Sequence, residues 1–311
     1  MMVIVYYIRR SITLMLRRTF LGTVPAVLTL ARRLEGQQES VTATATQDST
    51  PRVGIVLSSF AGSADHDGTP IAGLAEPRPI DATLTDAQVE AMVLKALALG
   101  QRRDGGLASI VGPEDWVLVL APSGLDTRVL GTVVGHLRDY RRGQRFTFSG
   151  TASKPLVAEL GRKHPRVRFD FLDLTSEPPV ELPIPDTDRT YRIAKCLQQC
   201  DRVITIGVLK KGGLLGMGNY LAVSEAQPQP QAIVDLFSVH PSDYALACAS
   251  HLILAGANAI AVETVAVSVL GDDPAKSRLL ELAWKRGFGV NDVDSIWTRG
   301  NEIEEARKAV S

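Results

Sequence analysis

Cysteine is scarce. Three cysteines in 311 residues, Cys196, Cys200 and Cys248, cannot build a disulfide framework. A bridge between Cys196 and Cys200 inside one helix would have its Cβ atoms held too far apart, which leaves two small semi-buried residues as the reading and a metal or redox role as the alternative. The chain has no Cys-x-x-Cys pair, no His-Glu-x-x-His and no two-histidine ligand spacing, so neither a structural zinc site nor an iron–sulfur cluster is expected, and no metal ligands are assigned. Without a Gly-x-Ser-x-Gly elbow, a serine hydrolase is disfavoured. Aromatics make up only 5%, which leaves the core to Val, Leu, Ile and Ala. Long apolar runs are missing too: Leu21–Ala31 has eleven residues, against the ~20 needed to span a bilayer. There is no excess of either charge. Beyond the first 33 residues, 28 basic side chains face 34 acidic ones, a net charge of about −6, and no nucleic-acid partner is expected.

What is present reads as globular. Apolar residues at 45% and charged ones at 22% give ample core for one large α/β domain or two modest lobes. The first 33 residues carry six arginines and no acid. Leu16-Arg17-Arg18-Thr19-Phe20-Leu21 and the apolar run after it resemble a twin-arginine export signal, with Ala43-Thr44-Ala45 as a cleavage pattern. Residues 1–45 are thus expected to be signal and linker, cleaved after Ala45, with the export machinery as a partner and an extracytoplasmic destination. A basic helix lying on a membrane, or a true start at Met15, are the alternatives.

Along the mature chain, strands are expected at Val53–Leu57, Trp116–Leu120, Arg145–Phe148, Val167–Leu172, Val203–Ile206, Ile253–Leu254 and Ser295–Thr298. Thr85 with Gln88 forms a capping box and Leu84 with Val89 a staple, opening a helix that stops at Gly100. Further helices are expected after Asp126, at Pro155–Gly161, Tyr191–Gln199, Ile260–Leu270 and Leu279–Arg286. Ser58–Ile80 and Pro178–Asp186 read as loops, the first containing the polar run Asp65-His66-Asp67. This alternation predicts an α/β fold with a mainly parallel sheet and helices on both faces. Ligands in such sheets sit at the carboxyl ends of the strands.

Several segments resemble the domain of unknown function 362 family: Tyr191–Gly218, Ile233–Leu246, Leu254–Pro274 and Arg286–Gly300, within a match over residues 51–305. The resemblance implies an α/β domain with a Val-Leu-Lys turn after a central strand. Departures are visible. Ala121-Pro122-Ser123 stands where the family has Lys-Pro-Asn, and Lys211, Gly212 and Gly213 fill a stretch that often holds a histidine. Gly218 replaces a lysine before Asn219, Glu263 replaces an aspartate, and the ferredoxin-like cysteine clusters of some members are absent.

The leading site candidate is the loop Gly207–Asn219. Its Lys210, Lys211, Gly212, Gly213 and Asn219 suit an anion, because glycines let backbone N–H groups converge and lysine adds a point charge. A mobile surface turn is the alternative. Ser149-Gly150-Thr151, at a strand exit, offers hydroxyls to a carboxylate or phosphate, or simply caps the next helix. His240, next to Pro241 and Asp243, is a candidate acid or base, or else a turn residue; Asp235, Glu263 and His251 are candidates to join it. The expected function is binding of a small anionic ligand or substrate; whether it is an enzyme is left open, and Lys210, His240 and Glu263 are the candidate catalytic residues if acid–base chemistry follows. The alternatives are a non-catalytic binding or redox-accessory protein, or a degenerate structural member. A racemase- or isomerase-like enzyme is an analogy of architecture alone. No cofactor is assigned.

Overall fold

The computed structural model describes residues 50–58, 83–102, 105–122, 124–149, 153–172, 174, 179–184, 187–211, 215–249 and 251–310. The expected cleavage site after Ala45, the loop that follows Ser58, and Gly150, Thr151, Gly212 and Gly213 lie outside them.

One eight-stranded sheet organises the chain. Its strands are β1 (Arg52–Leu57), β2 (Trp116–Leu120), β3 (Arg145–Phe148), β4 (Arg168–Phe171), β7 (Arg202–Val208), β8 (Tyr244–Ala249), β9 (Leu252–Gly256) and β10 (Trp297–Gly300). A separate hairpin pairs β5 (Val180–Pro183) with β6 (Thr190–Ile193). The lateral order is β10-β1-β9-β8-β7-β2-β3-β4. Every neighbouring pair is parallel except the two made by β9. With β9 alone reversed, the sheet has a defined amino edge and carboxyl edge.

The central strands are apolar on both sides, as burial on two faces requires. Val117 and Val119 point to one core while Leu118 and Leu120 point to the other. The first core is closed by α1 (Asp86–Leu99), α2 (Leu107–Ile110), α3 (Thr127–Asp139) and α4 (Ser153–Lys163). The second is closed by α5 (Lys195–Gln199), a 3-10 helix (Gly216–Val223), α6 (Pro230–Val239), α7 (Ala259–Val269), α8 (Arg278–Lys285) and α9 (Ile303–Val310). The α/β fold with helices on both faces is as expected.

Local signals mostly hold. The α1 capping box is complete, with Gln88 N–H donating to Thr85 Oγ1 at 3.3 Å and Thr85 N–H to Gln88 Oε1 at 2.8 Å. Asp126 caps α3 by accepting from Arg128 N–H at 2.8 Å. Two expectations are corrected. Thr190–Ile193 is a strand, and the helix expected from Tyr191 begins only at Lys195. The expected Pro178–Asp186 loop contains β5. The two errors share a cause. Leu182 pairs with Tyr191 across the hairpin, and the Tyr191 hydroxyl donates to buried Asp235 at 3.0 Å, so distant contacts overrule local periodicity.

Helix α1 lies against β1 closely enough to need a glycine. A Cβ on Gly54 would sit 2.7 Å from Ala96 O and 2.8 Å from Gly100 N, both backbone atoms. Gly54→Ala is therefore expected to cost about 1–3 kcal/mol by overpacking, read from the urea midpoint. An unchanged midpoint would mean that α1 does not pack on β1 in this way.

Candidate functional site

The chain leaves β2 through α3 on one face and goes outward to β3. It leaves β7 through the 3-10 helix on the opposite face and goes to β8. Neighbouring strands whose connections part in this way open a crevice at their carboxyl ends, the general ligand position of open α/β sheets. Here the crevice lies between β2 and β7.

Asn219 closes the floor of that crevice. Its side-chain amide donates to Ile206 O of β7 at 2.8 Å and to Leu120 O of β2 at 3.2 Å. Both acceptors are carbonyls, so only the NH2 end of the amide fits there. The side chain supplies two donors where the ladder between the strands runs out, and Asn219 is buried.

The loop after β7 is fixed at both ends. On departure, Leu209 N–H donates to Cys248 O at 2.8 Å, and Cys248 Sγ lies 3.4 Å from Gly207 O. Burial, with Asp126 as a lesser cause, pushes the Cys248 thiol up to about 12, so it stays protonated and is not a nucleophile. Lys210 and Lys211 then stand exposed at the carboxyl edge. On return, Gly216 lies against Gly207, where a Cβ would come 2.5 Å from Gly216 N. Met217 N–H donates to Glu263 Oε1 at 2.5 Å. Glu263, on α7, is buried, and burial raises its carboxyl from 4.5 to about 7 although the Met217 N–H pulls the other way. It is a carboxyl able to hold or release a proton near neutrality, directly behind the loop's return.

The remaining candidates separate. Ser149 is buried at the exit of β3 and its hydroxyl is engaged with Ala121, accepting from Ala121 N–H at 3.0 Å and reaching Ala121 O at 3.3 Å. It ties two strand exits together beside the crevice. His240 precedes β8 whereas Lys210 follows the parallel β7, so they stand at opposite edges of the sheet, about 20 Å apart along a seven-residue strand. Buried His240 contacts Cys200 Sγ at 3.2 Å and Leu197 O at 3.1 Å through Nδ1. His251 is at the carboxyl edge, where its Nδ1 is 3.2 Å from Ser58 Oγ. Asp235 is buried and accepts from Arg189, Arg286, Tyr191 and Gln231, a clamp that holds the β5–β6 hairpin to α6 and α8.

Sequence reasoning missed the polar chain under the 3-10 helix. Tyr220 OH donates to His240 O at 2.6 Å and meets Ser242 Oγ at 3.0 Å, and Ser242 Oγ reaches Thr205 Oγ1 at 3.3 Å. These residues are spread over 38 positions, and no spacing rule joins them. Among the described residues, no group of three or more His, Cys, Asp or Glu side chains is arranged to hold a metal ion.

No family model matches the chain, and no curated protein does. The structure of the lactate racemase apoprotein from Thermoanaerobacterium thermosaccharolyticum is similar over 58% of this chain and 58% of that one, at 11% identity and a TM-score of 0.36. The likeness spans less than two thirds of that protein and carries no argument about ligand or chemistry.

Asn219→Ala removes two buried hydrogen bonds and is expected to cost about 1–3 kcal/mol in chemical denaturation; a loss below ~0.5 kcal/mol would refute the bridge. Glu263 sets a pH dependence. Below pH 4.5 its carboxyl is neutral in both folded and unfolded chains. As pH rises from there to about 7, the unfolded chain ionises first, so stability is lost across that window and levels off above it. The Glu263 contribution is at most roughly 3 kcal/mol, and Glu263→Gln should remove it from the stability–pH curve. Superimposable curves for the two proteins would contradict the assignment.

Proposed function

We propose that this protein binds a small anionic molecule at the carboxyl edge of its sheet, in the crevice between β2 and β7. The observation that carries the reading is Asn219, which bridges Leu120 O and Ile206 O at the point where the strand connections part. Two further features support it. Lys210 and Lys211 stand at the exit of β7 with no carboxylate at ion-pair distance among the described residues. The amino end of α3, which favours negative charge, follows the exit of β2.

In this reading the lysines attract and hold the anion, and the glycines around position 216 let the backbone approach. Glu263 keeps or yields a proton behind the loop, which suits acid–base chemistry on the bound molecule or a pH-gated affinity. His240 takes no part, because it lies at the other edge. Among the described residues, His251 is the histidine at the carboxyl edge. The same proposal keeps the kinship with the domain of unknown function 362 family, supported by the Val208-Leu209-Lys210 turn and by Asn219, and export through the twin-arginine route, supported by Arg17-Arg18 and the apolar run after them.

The test is a thermal-shift titration of the full chain with inorganic phosphate and with succinate, compared with Lys210→Ala/Lys211→Ala. The expected result is a concentration-dependent rise in melting temperature that the double variant loses by tenfold or more in midpoint, about 1.4 kcal/mol. Equal shifts in both proteins would remove the lysine loop from the reading.

A further inference from the structure

The near-neutral charge total conceals a strongly basic face. Helices α3 and α4 both end at the amino edge of the sheet, where they turn into β3 and β4. Across those turns, His136–Gly143 contributes Arg138, Arg141 and Arg142, and Arg162–Arg168 contributes Arg162, Lys163 and Arg166. The two runs include a single acid, Asp139. They are physically joined: Gln144 Nε2 donates to Arg166 O at 3.0 Å, and Arg168 N–H donates to Gln144 O at 3.1 Å. The imidazole of His164 is lowered first by burial and then by the charges of Arg138 and Lys163, one from each run. Asp170 neutralises Arg145 and Arg168 nearby. None of the six cations named above has a carboxylate at ion-pair distance among the described residues.

Two features of this face are unexplained by folding alone. Arg141 ends α3 with φ 55°, the left-handed conformation that glycine normally supplies at this position. Its N–H donates to Arg138 O and the N–H of Arg142 to Leu137 O, at 2.9 and 2.8 Å, which is the helix-stop pattern that glycine suits. An arginine there tolerates strain and presents an exposed guanidinium. Moreover, Arg138 Nε, Arg142 Nε and His164 Nε2 are buried with no hydrogen-bond partner among the described residues.

We propose that this face docks on a phospholipid bilayer bearing anionic headgroups. Arg141, Arg162, Lys163 and Arg166 are exposed on adjoining turns and match phosphodiester oxygens spread over a plane, while half-buried Arg138 donates to Arg142 O and Gly143 O and holds the turn that carries Arg141. Outside the first 33 residues the chain is net acidic, whereas here the cations outnumber exposed Asp139 and Glu114, the latter in the segment bonded by Gly143 N–H, so a plane touching this face meets an excess of positive charge. Tyr140, 60% exposed next to Arg141, is the kind of aromatic that sits at a headgroup interface. A single-stranded nucleic acid is the less fitting partner, since it takes a succession of stacking aromatics and Tyr140 is the one large exposed ring among the described residues of these two runs. Docking by the amino edge leaves the crevice between β2 and β7 pointing away from the membrane.

The test is co-sedimentation of the full chain with vesicles of phosphatidylcholine, with and without phosphatidylglycerol, at low and high salt. Because the arginine-rich amino-terminal residues are present in every variant, only differences between variants report on this face. Arg141→Gly removes a cation while relieving the left-handed strain, so its melting temperature should hold or rise as binding falls. Arg141→Gly/Arg142→Gln/Arg166→Gln should weaken binding to anionic vesicles by roughly fivefold per cation, with high salt abolishing the difference. Lys276→Gln, an exposed cation elsewhere, should match the wild type. Triple-variant binding equal to wild type would overturn the proposal. So would tighter arginine-dependent binding to single-stranded DNA than to vesicles. The lysines of the crevice are untouched throughout, so failure here leaves the anion reading standing, and failure there leaves this one.

Discussion

A single side-chain amide solves a problem that the topology creates. Where β2 and β7 send their connections to opposite faces, the ladder between them must stop. Asn219 prolongs it, donating from one nitrogen to Ile206 O and to Leu120 O. Much of the neighbouring structure follows from that contact. To reach the two strands, the 3-10 helix must lie flat on the sheet, which brings Gly216 onto Gly207 with no room for a Cβ. That approach aims the Met217 N–H at Glu263, whose burial raises its carboxyl to about 7. The loop bearing Lys210 and Lys211 is then held at its departure by Cys248 and at its return by Glu263.

The parts of the fold that were legible in the sequence are those written in local chemistry. The capping box at Thr85, the cap at Asp126 and the apolar runs of β2 and β3 each rest on residues within a few positions of one another. The parts that were not legible depend on partners far along the chain. Tyr191 has helical neighbours but pairs with Leu182 and bonds to Asp235, and no window of ordinary length contains all three. Strand β8, buried at every position, shows no alternation to read, and helix α6 announces itself only by Pro230 at its start. The site was half legible. Glycines and lysines after a strand marked the loop, and Glu263 and Asn219 were named, but the sequence could not show that His240 stands at the other edge or that Asn219 spans two strands.

Charge tells the same story of distance. A net charge of about −6 beyond the first 33 residues argued against a nucleic-acid partner, because counting treats the chain as mixed. The fold unmixes it. Two basic runs some twenty residues apart meet at the amino edge, while the lysine pair stands at the carboxyl edge. The sheet thus separates the two basic runs from the lysine pair by the length of its strands. A small anion and a lipid surface would be met at opposite ends of the same strands.

The most direct measurement is amide hydrogen exchange on the full chain with and without saturating inorganic phosphate, repeated in Arg141→Gly/Arg142→Gln/Arg166→Gln so that phosphate on the basic face does not contribute. Slowed exchange concentrated in residues 207–223 and around Leu120 is the predicted result. Protection confined to the amino edge, or none anywhere, would contradict the account.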